Sequence, residues 1–190
     1  MNTTHRLIVA EFTTLDGVIE DPDGTWGSPT GGWAMRKGPQ VFAGDKFRLT
    51  PIMQDGALLF GRGTWEVFSQ RWPARTGEFP DAINAARKYV ASTTLTDASA
   101  WTNSTVLGGD LAHAVEQVLA ESDVAIIGSP GIAHQLAAVG LVDEYRLLVM
   151  PYVVGGGVRL FPEGHRADLE LVSSDVTEVG LLLRYDVVRA

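Results

Sequence analysis

Val124-Ala125-Ile126-Ile127-Gly128-Ser129-Pro130-Gly131-Ile132 is the stretch whose reading decides the fold. Its first four residues form a short continuous apolar run, the pattern of a strand covered on both faces, as in parallel sheets. Ser129 suits a helix N-cap, Pro130 the first helical position and Gly140 the C-terminal stop, so a helix is expected over about residues 131–139. Ala57-Leu58-Leu59-Phe60-Gly61-Arg62-Gly63-Thr64-Trp65 repeats the same grammar: a buried strand, a glycine turn, and a helix starting near Trp65.

Working outward, residues 7–13 predict a first strand that ends before the turn signal Asp16-Gly17. Residues 20–33 form a long loop rich in Gly, Pro and Trp, of the length that often serves as a lid. A helix is expected over residues 40–53 and a loop over 72–80. Brief strands follow at 88–92 and 105–107. Asp110 then caps a helix reaching about Glu121, with Leu111, Val115, Val118 and Leu119 on one face. Beyond Val142 the pattern changes to long strands: 144–153, then 169–177 and 181–188 as a hairpin around Val179-Gly180. Strand–helix alternation closed by a hairpin implies an α/β fold: a mixed, mostly parallel sheet flanked by helices, with a C-terminal antiparallel hairpin, in one domain over residues 1–190.

Composition narrows the function. The 190 residues are 45% apolar and 20% charged, and none is cysteine, which excludes thiol catalysis, zinc–thiolate sites and disulfide frameworks. The net charge of −8 disfavours nucleic acid as a partner and demands local donors for any anionic ligand. No leader or membrane-length apolar run is evident, so a cytoplasmic chain without membrane association is expected. His5, His113, His134 and His165 show no metal-ligand spacing, and no metal is expected.

Four constellations could carry chemistry. Residues 60–65 deliver a strand onto a helix N-terminus, where free N–H groups and the helix dipole favour an anion; Arg62 adds a planar fork and Thr64 a hydroxyl. Residues 127–132 repeat the device, with Gly128 and Gly131 permitting close approach of a ligand. Each taken singly is equally an ordinary strand–helix turn, and neither is the three-glycine dinucleotide fingerprint. Residues 13–19 end a strand in a turn that Asp16 can close on its own backbone. Gly155-Gly156-Gly157, within residues 150–161, interrupt a strand edge.

The order of these pieces resembles the dihydrofolate-reductase-like superfamily and, within it, the riboflavin-biosynthesis reductase (RibD C-terminal domain) family and its stand-alone members. The matching segments are Leu15-Asp16-Gly17, Gly61-Arg62 with Thr64, Ala91-Ser92-Thr93 and residues 128–132. They continue with Val142-Asp143-Glu144-Tyr145, Pro151, Gly155-Gly156-Gly157 and Leu160-Phe161. The resemblance spans essentially the whole chain. It implies NADPH as cofactor, held through its phosphates by Arg62 and Thr64, with Arg62 near the 2′-phosphate. Ser92 and Thr93 would wall the adenine-ribose site; Gly61 belongs to the first phosphate turn, and Gly128, Ser129, Gly131 and Ile132 to the second. Asp16, Gly17 and Val18 would lie by the nicotinamide.

The substrate side is less determined. Dihydrofolate reductase proper holds its substrate with a carboxylate on the helix after the lid; the nearest candidate is Asp45, otherwise a solvated helix residue. Glu11 is the other acidic candidate, or else faces solvent or pairs with a cation. Arg36, Lys37, Lys46 and Arg48 are available for a substrate phosphate. Phe12, Trp33 and Phe47 are expected to contact a flat substrate, with Trp26 and Phe42 as further aromatics, although such residues are often core. The resulting expectation is an NADPH-dependent reductase of a small pterin- or pyrimidine-like heterocycle, working as a homodimer. The alternative is a non-catalytic nucleotide-binding protein that retains the fold.

Overall fold

Strands β1 (Leu7–Thr14), β2 (Ala57–Gly61) and β5 (Val124–Ile127) are almost wholly buried because both faces of the sheet are covered. Their alternate residues feed two separate cores. In the computed structural model, which describes residues 5–189, Ile8, Ala10, Leu58, Phe60 and Ala125 pack with α1 (Thr50–Asp55), α2 (Arg62–Arg71) and α3 (Glu78–Ala85). On the opposite face Leu7, Val9, Leu59, Val124 and Ile126 pack with α4 (Leu111–Leu119) and α5 (Pro130–Ala138). The period-two pleat thus turns uninterrupted apolar runs into two cores.

The remaining strands are β3 (Arg87–Ala91), β4 (Ser104–Leu107), β6 (Glu144–Met150), β7 (Asp168–Val176) and β8 (Leu181–Val188), in one eight-stranded sheet of order β4-β3-β2-β5-β1-β6-β8-β7. From β4 to β6 the strands are parallel, whereas β8 runs antiparallel to both β6 and β7. The connections after β1, β2 and β3 carry the chain toward β4, and those after β4 and β5 carry it back. Neighbouring β1 and β5 therefore send their connections to opposite faces, and a crevice opens between their carboxyl ends. Among the described residues no helix is long and apolar enough to cross a membrane.

Local expectation fails where proline and left-handed residues intervene. Residues 40–53 are not one helix: Pro39–Phe42 is a 3₁₀ turn, and α1 begins only at Thr50. Gly44 and Arg48 adopt left-handed backbone (φ 72° and 56°) between them, and Pro51 fits only a first helical turn. Conversely, part of the loop expected over 72–80 is α3, with Pro80 in its first turn. Strand β6 stops at Met150, before Pro151, short of Val153. The hairpin pairs Val176 with Leu181, and Thr177 closes the turn by donating its backbone N–H to the Gly180 carbonyl at 2.8 Å.

Two buried ionic groups fasten this frame. Glu144, at the start of β6, meets Arg6, Arg146 and Arg184 at 3.1, 2.6 and 2.9 Å, joining β1's approach to β6 and β8. Lys88 on β3 donates from Nζ to the carbonyls of Ile83, Asn84 and Ala86 at 3.0, 2.9 and 2.7 Å, closing the C-terminus of α3. Burial pulls its ammonium down to about 8, while these carbonyls and the Trp101 ring, 4.6 Å away, favour the charged form. Replacing Lys88 by Met leaves those carbonyls without their donor, and stability is expected to fall by about 2–4 kcal/mol. A urea titration will show it as a lowered midpoint at unchanged slope; an unmoved midpoint would remove Lys88 from the frame.

Candidate functional site

The two glycine corners lie side by side because β2 and β5 are neighbours in register, Leu59 opposite Ile126. One hydroxyl joins them. Ser129 Oγ accepts the Gly61 backbone N–H at 2.8 Å and donates to Thr64 Oγ1 at 2.9 Å. Ser129 was expected to cap α5; it sits at that position, but its side chain makes no cap bond and reaches across to α2 instead. It does so from left-handed backbone (φ 65°, ψ 64°), which costs a serine about 1–2 kcal/mol. Glycine is needed beside it: Gly128 has φ 65°, and a Cβ there would stand 3.3 Å from Thr64 Cγ2.

Neither α2 nor α5 has a side-chain cap among the described residues, so the first-turn N–H groups of α2 are left without intrahelical partners; α5 adds the Gly131 N–H, since Pro130 has none and Ile132 donates to the Ser129 carbonyl at 2.9 Å. Arg62 stands at the outer side of this corner, about half exposed, donating to Thr94 Oγ1 at 3.1 Å and lying 3.7 Å from Glu66. Ser92, at the end of β3, accepts the N–H groups of Thr94 and Leu95 at 3.2 and 2.9 Å; Thr93 between them is exposed. The row continues at the end of β4 with Gly108 and Gly109, both with open space where a Cβ would be. The pair is not among the expected site residues, although strand, Gly-Gly and the capping Asp110 follow the grammar of the other corners. Gly131 is exposed and open above α5, and Ile132 is buried behind Gly61.

Inward from the corner lies a groove of about 740 Å³. Thr64, Gly128, Ser129 and Pro130 line it at the glycine corners, and Ala10, Glu11, Phe12 and Ile127 line it along β1 and the end of β5. It exists because β5 ends where Ile127 pairs with Ala10, while β1 runs on to Thr14. Phe42, Phe68, Trp26 and Trp72 supply its aromatic walls. The lid loop covers one side. Its buried Asp21 accepts the N–H groups of Trp26 and Ser28, both at 3.0 Å, and Arg71 of α2 pairs with Asp23 and Thr25. Trp26 lies over α2's first turn, so close that a Cβ on Gly63 would stand 3.1 Å from its ring.

Several expected residues take other places. Asp16 accepts the Thr14 hydroxyl at 2.6 Å and the Gly155 N–H at 2.8 Å, bonds that hold its carboxyl at about 2. Asp16, Gly17 and Val18 therefore form a turn fastened to residues 154–160, beside the groove and outside its lining. Trp33 is a core residue and not a groove wall: it is fully buried, its Nε1 donating to the Glu20 carbonyl at 3.0 Å. Phe47 stands behind the groove, edge-on to Phe12 at 4.9 Å. Asp45 caps α1, accepting the N–H groups of Leu49 and Thr50 at 2.7 Å, and its carboxylate is occupied there. Arg36, Lys37, Lys46 and Arg48 also lie outside the lining; the groove's cations are Arg71 and Arg75, which the sequence did not single out.

Glu11 is different. It is 5% exposed where β1 lines the groove, Oε1 has no hydrogen-bond partner among the described residues, and burial pushes its carboxyl up to about 8. At neutral pH the folded chain therefore holds Glu11 mostly as the neutral acid, a state suited to donating a proton or a hydrogen bond.

Comparison with known proteins places this geometry. A family model for the RibD C-terminal domain matches residues 5–183. The uncharacterized protein YyaP of Bacillus subtilis (strain 168) is 24% identical over 187 residues, covering 93% of this chain and 92% of that protein. A candidate riboflavin biosynthesis protein from Shewanella sp. PV-4 superposes with a TM-score of 0.72 at 22% identity, over 97% of this chain and 99% of that one. A pyrimidine reductase-like protein from Corynebacterium diphtheriae gives 0.63 at 14% identity, over 99% and 94%. The diaminohydroxyphosphoribosylaminopyrimidine deaminase/5-amino-6-(5-phosphoribosylamino)uracil reductase of Thermotoga maritima gives 0.57 at 14% identity; the match covers 97% of this chain but 57% of that one.

The Glu11 carboxyl has a measurable consequence. Its folded value lies above its unfolded one, near 4.5, so the folded state retains a proton that the unfolded state loses. Stability is thus highest below about pH 4.5 as far as this group goes, and is lost as pH rises toward 8, by at most about 1.4 kcal/mol per pH unit. Glu11→Gln is expected to flatten this slope and to be more stable than wild type at pH 8 by about 1–3 kcal/mol, or about 2–10 °C in Tm. Parallel wild-type and variant stability profiles across pH 5–8 would contradict the assignment.

Proposed function

This chain belongs to the RibD C-terminal domain family, and from that premise we propose that it is an NADPH-dependent reductase of a small planar heterocycle. The single observation that carries this reading is the junction at Ser129, which joins two uncapped helix N-termini into one anion cradle at the mouth of an aromatic groove. We read the junction as a cradle for a dinucleotide's phosphates; a Cβ at Gly61 would press on Ser129 and Ile132 and one at Gly128 on Thr64, so glycine at both positions keeps the junction intact.

When bound, NADPH supplies a hydride. The residues of this chain supply position, charge and enclosure. The first-turn N–H groups of α2 and the Gly131 N–H of α5 would hold the pyrophosphate, with Thr64 beside them. Arg62 offers a planar fork to the 2′-phosphate, and Ser92 and Thr93 flank the adenosine side. The groove between Phe12, Phe42 and Phe68 takes the substrate ring, and the lid at Trp26 keeps water from it. Glu11 holds the proton that a reduced ring nitrogen needs.

Pairing of two copies is proposed through the hairpin, since β7 is the edge of the sheet and exposes Leu171, Val172 and Val176. Sedimentation equilibrium is expected to give a dimer, and introducing Lys at Val176 to shift it toward monomer; a wild-type monomer at all concentrations rejects this arrangement.

The preference for NADPH over NADH rests on Arg62. Calorimetric titration of wild type is expected to favour NADPH over NADH, and Arg62→Ala to reduce that preference by roughly tenfold or more, the value of one charge-assisted contact. An unchanged preference removes Arg62 from the 2′-phosphate site.

A further inference from the structure

We propose that Glu11 selects the substrate: the groove takes an uncharged planar nitrogen heterocycle that presents an N–H edge to the Glu11 carboxyl, and it disfavours phosphorylated forms of such rings. This inference rests on the reductase reading above and names the substrate class of the same groove.

Among the described residues, the groove's charged side chains are Glu11, Glu20, Asp21 and Asp23, facing Arg71 and Arg75. Most are already engaged. Asp21 is tied to backbone N–H groups within the lid, and Asp23 to Arg71. Glu20 accepts the Val158 N–H at 3.2 Å. Arg75 stacks on Trp72 at 4.9 Å, and Arg71 also donates to Thr25. Glu11 Oε1 alone among these carboxylate oxygens is buried without a partner. A buried acceptor left unpaired costs about 1–3 kcal/mol, a cost that a ligand N–H removes.

The chemistry of the ligand follows from the surroundings. A neutral carboxyl offers one acceptor and one donor, which match the adjacent N–H and C=O, or N–H and ring nitrogen, of a lactam or aminopyrimidine edge. The aromatic walls ask for a flat ring. Four carboxyl groups against two guanidiniums give the groove no surplus of positive charge, and the chain carries −8 overall. Arg71 is paired with Asp23, which leaves a substrate phosphate only the exposed Arg75, stacked on Trp72, against four carboxyl groups; that balance disfavours phosphate and sets this member apart from enzymes that act on phosphoribosylated pyrimidines.

The test is equilibrium binding, read by tryptophan fluorescence and by calorimetry, without turnover. Isocytosine, its ring-N-methylated form, uridine and uridine 5′-monophosphate serve as probes, with NADPH titrated separately into each protein. Wild type is expected to bind isocytosine at least tenfold tighter than the methylated form, and uridine tighter than its monophosphate, with ring affinity falling above about pH 8. Glu11→Leu should lose ring binding at least tenfold while NADPH affinity stays within about threefold. Glu11→Gln should keep ring binding at pH 7 and lose its pH dependence. Equal isocytosine binding by wild type and Glu11→Leu, pH dependence retained in Glu11→Gln, or tighter binding of the monophosphate each overturns the proposal. Failure of wild type to bind NADPH overturns instead the reductase reading, while the ring titrations judge Glu11 independently.

Discussion

The Ser129 hydroxyl bridges two corners of the sheet, and the site depends on that bridge. By accepting the Gly61 N–H and donating to Thr64 it fixes the spacing between the starts of α2 and α5. The bridge requires Ser129 to leave its own helix uncapped and to hold a left-handed backbone, two local costs that a plain strand–helix turn would avoid. In exchange, the orphan N–H groups of α2's first turn and the Gly131 N–H of α5 stand at neighbouring corners. Their partial charges add where a single helix end would be weak, which matters in a chain whose net charge repels anions at long range.

Topology places the groove beside this cradle. The crevice exists where β1 outruns β5 and the connections part to opposite faces, so the inner wall belongs to β1 and the mouth to the glycine corners. An aromatic slot of this kind would be stable if it ended in an apolar residue. It ends in Glu11, whose burial without a partner works against folding at neutral pH. Buried groups that oppose stability concentrate where chemistry needs them, and Glu11 lines the same groove as the glycine corners.

Much of this was legible in the sequence. The runs at 57–60 and 124–127 announce doubly covered strands, and each is followed by a glycine corner and a helix, so the sheet and both halves of the cradle follow from local pattern. Their contact was not legible, because the neighbourhood of β2 and β5 is a matter of strand order. The role of Ser129 was hidden for the same reason: a serine before a proline and a helix reads as a cap, and only the partner corner shows otherwise. Asp45 and Trp33 misled because residue type was weighed without burial; one caps α1 and the other anchors the lid from the core. Glu11 carried a weak signal, an acid inside a strand otherwise built of core residues, whose meaning depended on what faced it.

The central claim is that the two corners act as one nucleotide cradle. Hydrogen–deuterium exchange with increasing NADPH tests it most directly, by following the amides of residues 61–64 and 128–132 in the same experiment. The account predicts that both segments slow together, with one shared saturation point. Protection of one segment alone, or of neither while NADPH is bound elsewhere, would contradict it.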